Sequence, residues 1–94
     1  MAKKQRKKQI QPDSGVEKAF GEALRAVRKE RDISQEALGH ECEFDRTYVS
    51  LIERGLRSPT VRAVVRLAEV LKVRPSELLA RMETRLNIVI KEEM

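Results

Sequence analysis

Apolar side chains recur every three or four positions through most of the chain, which is the spacing that lines one face of an α-helix. This spacing predicts one long helix over 16–30, two short helices within 34–55, and two further helices that begin near Thr60 and Pro75. Strict alternation, the mark of a half-buried β-strand, is nearly absent until the C-terminal residues. The pattern therefore predicts an all-α fold of five helices.

The stretch from Ser34 to Gly55 predicts two short helices joined by a tight turn of three or four residues. Ser34 is a good N-cap for the first helix, and Asp45 can cap the second. Gly55 suits the left-handed residue after a helix end, with Leu56 placed to fold back onto the helix. The apolar residues expected on the inner faces are Leu38, Cys42, Val49 and Ile52. This arrangement matches the helix-turn-helix unit, in which the second helix is presented to DNA.

Two local features of the long helices make further predictions. Gly21 lies in the interior of the first helix, where Gly costs about 1 kcal/mol relative to Ala. The simplest justification for that cost is the close approach of another helix. Before the fourth helix, either Ser58 or Thr60 is expected to be the N-cap, and Pro59 lies where a missing N–H does no harm.

The C-terminal residues change period, because Leu86, Ile88 and Ile90 occupy alternate positions. One interpretation is a short strand, which would need a partner such as its two-fold mate in a dimer. The alternative is that the last helix continues and buries Leu86, Val89 and Ile90. The predicted organisation is a disordered basic arm over 1–15, a helix-turn-helix domain over 16–82 and a dimerisation tail over 83–94.

Composition narrows the class of protein. A chain of 94 residues is expected to form one domain, and with two Phe, one Tyr and no Trp its core must be aliphatic. No apolar run approaches the length of a membrane span, and the N-terminal residues lack the apolar segment of a signal peptide. A single Cys cannot form an intrachain disulfide, so the reducing cytoplasm is the expected compartment.

The formal charge of +5 is concentrated at the N-terminus. Residues 1–12 contain no acid, and the rest of the chain has 15 basic and 15 acidic residues, which sum to zero. Such an arm can lie along phosphates or enter a minor groove, or it can be a solubilising tail. The basic residues of the arm are Lys3, Lys4, Arg6, Lys7 and Lys8.

The sequence contains no pattern that predicts catalysis, a cofactor or a metal. The one His, His40, and the one Cys, Cys42, are two residues apart, whereas a structural zinc site needs four ligands. His40 is expected to be a solvated helix residue and Cys42 a small buried apolar one. No Gly-rich phosphate loop and no nucleophile with a neighbouring base stand out.

Three segments in order, LRAVRKERDISQEAL, FDRTYVSLIERGLRSPT and VVRLAEVLKVRPSELL, resemble the lambda/434-repressor-like, or Xre-type, helix-turn-helix family. The resemblance spans roughly Phe20 to Met82 and implies a five-helix, lambda-repressor-like DNA-binding domain. The motifs DRTY (45–48) and IER (52–54) also resemble those of controller proteins of restriction–modification systems. The chain departs from the family at Glu43, where Gly is usual and a left-handed conformation is required, and at Leu51, a position that is often polar.

The resemblance and the chemistry of the major groove together imply which residues bind DNA. Arg46 can bond guanine O6 and N7 together, or it can be a solvated charge paired with a neighbouring acid. Thr47 can meet a phosphate or a thymine methyl, and Leu51 can contact a thymine methyl or be an interface residue. Gln35 is expected to anchor the first short helix to a phosphate. The residues implied to read bases are Arg46, Thr47, Ser50 and Leu51. Those implied to bind phosphate are Gln35, Tyr48, Arg54, Arg57 and Ser58, with a packing role as the alternative for Tyr48.

One structural role is implied by the resemblance, and a second is predicted from the apolar residues of the last helix and the C-terminal tail. Arg28 and Glu53 match the family's paired Arg and Glu, and are expected to form an ion pair between the first and third helices. Dimerisation is expected to use Leu79, Met82, Leu86, Ile88 and Ile90.

The expected function is a sequence-specific, double-stranded DNA-binding transcriptional regulator that acts as a homodimer on palindromic sites, without enzymatic activity. One alternative is an antitoxin-like module that also binds DNA and neutralises a protein partner through its C-terminal tail. A second is a nonspecific nucleic-acid-coating protein that depends on the lysine-rich arm.

Overall fold

Residues 15–86, the part of the chain that the computed structural model describes, form five α-helices and no strand. The prediction of an all-α, five-helix domain is therefore confirmed. The predictions for the basic arm, apart from Gly15, and for residues 87–94 of the tail lie outside the described residues. The helices are α1 (Val16–Glu30), α2 (Gln35–Cys42), α3 (Tyr48–Glu53), α4 (Val61–Leu71) and α5 (Pro75–Leu86).

The core lies between the helices and is aliphatic, as the composition predicts. The stripe on α1 is buried at Phe20, Leu24 and Val27, whereas Val16 at its start is 44% exposed. Every helix contributes at least one fully buried side chain, and this tertiary packing stabilises the short helices, which are marginal in isolation. The largest buried side chains are Leu24, Val27, Leu38, Val49, Ile52, Leu67, Leu71 and Leu78.

Helix α1 crosses α3 in direct backbone contact at Gly21. A Cβ added to Gly21 would overlap the carbonyl oxygen of Ile52 and would lie 2.7 Å from that of Glu53. This contact is the close approach that the sequence predicts, and it explains why a residue unfavourable in a helix interior occupies this position. It also fixes the depth at which α3 packs on the domain.

Helix α4 begins where the sequence predicts, and the structure selects between its two candidate caps. Thr60 is the N-cap, since its Oγ1 accepts a hydrogen bond from the backbone N–H of Ala63 at 3.0 Å. The helix is followed by Lys72 in a left-handed conformation (φ 61°). The N–H of Val73 then donates to the carbonyl of Ala68 at 3.0 Å and closes the helix end. These end contacts define the turn into α5.

Helix α5 packs against α1 and continues past the predicted domain boundary at residue 82, up to Leu86. The strand interpretation is therefore wrong for Leu86, which is helical. Its Cδ2 lies against the start of α1, 3.7 Å from the position of a Cβ built on Gly15. The continued α1–α5 contact accounts for the longer helix.

An exposed ion pair that no sequence pattern predicted joins α1 to α5. Arg81 donates two hydrogen bonds to the Glu30 carboxylate, at 2.8 and 2.9 Å, and one to Glu77 at 3.2 Å. The hydrogen bond from Arg81 lowers the pKa of Glu30 below its usual value. Because these groups face solvent, the pair adds little to stability and mainly orients the two helices.

Neither a membrane span nor a metal site is present among residues 15–86. None of the five helices combines the length and apolarity needed to cross a membrane. No group of His, Cys, Asp and Glu side chains in this part of the chain is arranged to hold a metal ion.

Candidate nucleic-acid interface

Helix α2 has the start and the end that the sequence predicts. Ser34 caps it, since its Oγ accepts a hydrogen bond from the backbone N–H of Ala37 at 3.0 Å. Glu43 follows its last residue in a left-handed conformation (φ 63°, ψ 39°), which costs about 1–2 kcal/mol for a residue with a Cβ. The Phe44 N–H donates to the carbonyl of Gly39 at 2.9 Å and closes the helix end. This reversal directs the chain toward α3.

The turn between α2 and α3 spans 43–47, which is longer than predicted, and α3 begins at Tyr48. The expectation that the Asp45 side chain caps this helix is wrong. Thr47 holds the N-cap position without a side-chain cap bond, and the backbone carbonyl of Asp45 accepts the N–H of Tyr48 at 3.0 Å. The backbone closes this turn, so Arg46 and Thr47 lie immediately before α3 instead of within its first turn.

Helix α3 buries one side and leaves the other accessible. Val49, Ile52 and Glu53 face the core. Val49 also contacts α2, where its Cγ2 lies 3.6 Å from the position of a Cβ built on Gly39. The opposite side therefore faces outward, at the surface of the domain.

The helix ends as predicted at a left-handed Gly55 (φ 76°). The N–H of Leu56 donates to the carbonyl of Leu51 at 2.9 Å. The Leu56 side chain does not fold back as expected, since it is 63% exposed. The backbone bond alone closes this end of α3.

The four predicted base-reading residues share one accessible surface. Arg46 and Thr47 are exposed, and Ser50 and Leu51 are half-buried. Thr47, Ser50 and Leu51 are spaced i, i+3 and i+4, so they are neighbours on the outer side of α3. Within residues 15–86, Arg46 forms no ion pair with an acid, so its guanidinium donors are available.

Three of the predicted phosphate ligands follow α3 directly. Arg54, Arg57 and Ser58 are all exposed. Arg57 and Ser58 belong to the loop between α3 and α4, whereas Gln35 is the first residue of α2.

Arg28 and Glu53 form a bidentate ion pair between α1 and α3. Arg28 Nε donates to Glu53 Oε2 at 2.6 Å and Arg28 Nη2 donates to Oε1 at 3.0 Å. The side chains are 10% and 2% exposed, so the pair is removed from solvent. Arg28 Nη1 also donates to the carbonyl of Ile33 at 2.9 Å, which ties the loop before α2 to the pair.

Gln35 belongs to the same buried network. Its Nε2 donates to Glu53 Oε1 at 2.9 Å. An amide nitrogen carries two hydrogens, so this bond leaves one donor for a phosphate. Only the phosphate role of Gln35 was expected from the sequence. The bond to Glu53 was missed because the packing of α2 on α3 brings the two residues together.

Tyr48 and Arg57 are also joined, in a contact that includes a residue outside the predicted site. The Arg57 guanidinium lies over the Tyr48 ring, with 5.7 Å from Cζ to the ring centroid. The Phe44 ring meets the Tyr48 ring edge-on, with 4.9 Å between centroids and an interplanar angle of 86°. The spacing of Phe44 and Tyr48 was the only signal of this contact in the sequence.

A groove beside these side chains was missed as well. It lies between the turn and α4 and is lined by Tyr48, Arg62 and Arg66, and by Glu69, which pairs with Arg66 at 3.1 Å. Arg66 donates to the carbonyl of Glu41 at 3.2 Å, and Arg62 is exposed in the first turn of α4. Neither Arg was singled out from the sequence.

Cys42 has the structural role that the sequence predicts. It is 3% exposed at the end of α2, and burial raises the pKa of its thiol to about 11. The thiol therefore stays protonated near neutral pH and acts as a small apolar group. His40, two residues before the end of α2, is exposed as expected.

Two short helices joined by a tight turn, with the second helix accessible and flanked by exposed Arg side chains, define a helix-turn-helix DNA-binding domain. The family model described as helix-turn-helix matches residues 24–78. The chain belongs to this Xre-type helix-turn-helix family of DNA-binding transcription regulators, which confirms the resemblance seen in its sequence.

Restriction–modification controllers are among the proteins to which the chain is similar. It is 39% identical over 61 residues to the control protein C.BamHI of Bacillus amyloliquefaciens, covering 64% of this chain and 75% of that protein. Its structure is also similar to the crystal structure of the restriction–modification controller protein C.AhdI from Aeromonas hydrophila, with a TM-score of 0.64 and 37% sequence identity. That match covers 66% of this chain and 94% of C.AhdI.

A further structural match shows the fold alone, because the identity is 24%. This is the restriction–modification controller protein C.Esp1396I, solved as a tetramer in complex with its natural 35 base-pair operator. The TM-score is 0.71, and the match covers 81% of this chain and 100% of C.Esp1396I.

Proposed function

We propose that this protein is a sequence-specific transcriptional regulator that binds palindromic double-stranded DNA sites as a homodimer, in the manner of a restriction–modification controller. The observation that carries the proposal is the accessible surface of Arg46, Thr47, Ser50 and Leu51 on a helix-turn-helix. The similarity to C.BamHI and C.AhdI supports the controller assignment. Regulation follows from occupying or uncovering a promoter, without chemistry on the DNA.

Base reading is assigned to the turn and the outer side of α3. The major groove admits an α-helix, and each base pair presents a distinct set of donors and acceptors there. Arg46, which has no ion-pair partner in the described part of the chain, directs its planar fork to guanine O6 and N7. Thr47, Ser50 and Leu51 follow along the same side of α3 and contact the neighbouring base edges and thymine methyl groups.

Positioning on the DNA is assigned to the residues around that surface. Gln35 at the start of α2, and Arg54, Arg57 and Ser58 after α3, bind the phosphates on either side of the groove. Such contacts fix register without carrying sequence information. They also make the affinity depend on salt, because each phosphate contact releases counterions.

Dimerisation is assigned to an apolar surface formed by α5 with the starts of α1 and α4. Leu79 is 44% exposed, Met82 is half-buried, and Val16, Val61 and Val65 are exposed beside them. A second copy on this surface removes the apolar groups from water. Of the other predicted dimer residues, Leu86 packs on α1, and Ile88 and Ile90 lie outside the described part of the chain.

Arg46→Ala tests the reading surface. The variant is expected to bind the preferred site about 1–3 kcal/mol more weakly for each guanine that Arg46 recognises, and to relax base preference at that position of each half-site. The measurement is a titration of labelled duplexes that carry each of the four base pairs at every position.

The matched control is Arg25→Ala, which removes the same charge from the exposed side of α1. This control is expected to keep the base preference of the unmodified protein. An Arg46→Ala variant whose preference is unchanged at every position would remove Arg46 from the reading surface.

A further inference from the structure

Three side chains from three different segments stack in series at the edge of the reading surface. Phe44 comes from the turn before α3, Tyr48 is the first residue of α3, and Arg57 comes from the loop after it. The Phe44 ring lies edge-on to the Tyr48 ring, and the Arg57 guanidinium lies over that ring. We refer to Phe44, Tyr48 and Arg57 as the aromatic stack. It connects the two ends of α3 through side chains.

We propose that Phe44 is a positioning residue for DNA binding, which holds the Tyr48 ring as a platform that orients Arg57 toward a phosphate. The proposal rests on the proposed function, since it assigns a phosphate contact to Arg57. Of the two roles that the sequence left open for Tyr48, it favours packing over a phosphate bond through the hydroxyl. The ring face of Tyr48 carries the function, and its hydroxyl is dispensable.

The geometry of both contacts is favourable. Aromatic pairs prefer edge-to-face arrangements with centroids 4.5–7 Å apart, and the Phe44–Tyr48 separation of 4.9 Å is within that range. A cation is attracted to a ring face within about 6 Å of the centroid, and the Arg57–Tyr48 separation of 5.7 Å is inside that limit. Phe44 thus restricts the Tyr48 ring, and the Tyr48 ring restricts Arg57.

Stacking leaves Arg57 able to bind DNA. The Arg57 Cζ lies 5.7 Å from the centroid of the Tyr48 ring, and this contact uses none of the five guanidinium N–H donors. Among residues 15–86 no hydrogen bond or ion pair engages the Arg57 side chain, and the loop residues on both sides of it, Leu56 and Ser58, are exposed. The ring of Tyr48 is therefore what restricts Arg57 before DNA arrives.

The benefit for binding is preorganisation. A free Arg side chain loses rotamer entropy when it is immobilised on a phosphate, and a side chain already restricted in the bound direction loses less. The Phe44 backbone is fixed by its N–H bond to Gly39 at the left-handed end of α2, and its partly buried side chain packs against the core. The turn that sets the angle between α2 and α3 thereby also sets the direction of a phosphate ligand beyond α3.

The first test needs no DNA. Ring current from Tyr48 is expected to shift the side-chain protons of Arg57 upfield in the NMR spectrum of the full chain. Tyr48→Phe should keep the shift, Tyr48→Leu should abolish it, and Phe44→Leu should reduce it. An Arg57 shift unaffected by Phe44→Leu would show that Phe44 does not hold the platform, and would overturn the proposal.

The second test measures affinity for a DNA duplex as a function of salt concentration. Phe44→Leu is expected to weaken binding about two- to fivefold per protomer. The plot of log Kobs against log[salt] should also become shallower, because an Arg57 that is no longer held contacts its phosphate for only part of the time. Arg57→Ala should reduce that slope by about 0.9 for each phosphate that Arg57 neutralises, and adding Phe44→Leu to it should have no further effect. Arg25→Ala, on the exposed side of α1 and outside the proposed interface, is the control and should bind as the unmodified protein does.

The salt slopes distinguish a positioning role of Phe44 from a purely structural one. A purely structural Phe44 would leave the salt slope unchanged, and its effect would add to that of Arg57→Ala. A shallower slope in Tyr48→Phe would assign the phosphate to the hydroxyl and overturn the platform role. If the unmodified protein does not bind DNA, the proposed function fails together with the DNA-binding role of Phe44, whereas the ring-current result still reports on the stack. If Phe44→Leu does not fold, Phe44→Met replaces it in both tests.

Discussion

Replacing Glu53 by Gln is expected to lower the free energy of unfolding by about 3–5 kcal/mol. The carboxylate accepts two hydrogen bonds from Arg28 and one from Gln35, in a site where its side chain is 2% exposed. The amide of Gln preserves the shape of the side chain but leaves the Arg28 guanidinium buried without a compensating charge. The decrease is a large part of the roughly 5–15 kcal/mol that stabilises an ordinary domain.

Urea unfolding of the full chain, followed by circular dichroism, measures this effect. Glu69→Gln is the matched control, because it makes the same chemical change in the exposed pair that Glu69 forms with Arg66 at 3.1 Å. Exposed pairs contribute about 0–1 kcal/mol, so the control should unfold close to the unmodified midpoint. Equal effects of the two substitutions would show that the Arg28–Glu53 pair does not join α1 to α3 as the structure indicates.

Gly21→Ala is expected to lower the free energy of unfolding by about 1–3 kcal/mol, although Ala is the better helix former. The added Cβ would overlap the Ile52 carbonyl oxygen, and backbone at a helix crossing cannot rotate away as a side chain can. Helix α3 would have to move off α1, which also weakens DNA binding because α3 carries the reading surface. Thermal or urea unfolding measures the change in stability.

Gly39→Ala is the control for this prediction. A Cβ at Gly39 would meet Val49 Cγ2 at 3.6 Å, an ordinary contact with a side chain. The better helix propensity of Ala should then leave the stability unchanged or raise it by up to about 1 kcal/mol. A Gly21→Ala variant at least as stable as Gly39→Ala would contradict the close crossing of α1 and α3.

Most of the fold can be predicted from the sequence, because the positions and ends of its helices depend on residues that are close together in the chain. Periodic apolar positions predict the helices, and the side chains of Ser34 and Thr60 form the caps expected of them. Glu43 adopts the left-handed conformation that the resemblance to the family implies for this position. The reason for Gly21 was also correctly inferred, since a conformational cost in a helix interior indicates a close packing contact.

The start of α3 could not be predicted from the residue type at position 45. An Asp side chain and an Asp backbone carbonyl can both close a turn, and in this protein the carbonyl accepts the N–H of Tyr48. The end of α5 was also missed. The alternation of apolar residues suggested a strand from Leu86, but packing against α1 keeps this residue helical.

Contacts between residues far apart in sequence carry no local signal. The Arg81–Glu30 pair joins residues 51 positions apart, and Gln35 reaches Glu53 across 18 positions. Chain topology brings these groups together, and periodicity does not report it. The same limitation hid the aromatic stack, in which Arg57 is placed by the left-handed turn at Gly55 after α3.

The central claim is that the protein reads DNA sequence as a dimer, and selection of bound duplexes from a random pool tests it most directly. At physiological salt, where nonspecific binding is weak, the full chain is expected to enrich a palindrome. Two half-sites with centres about 34–36 Å apart, or a multiple of that distance, would fit two α3 helices in successive major grooves. Binding without enrichment of any sequence would contradict a base-reading function for Arg46, Thr47, Ser50 and Leu51.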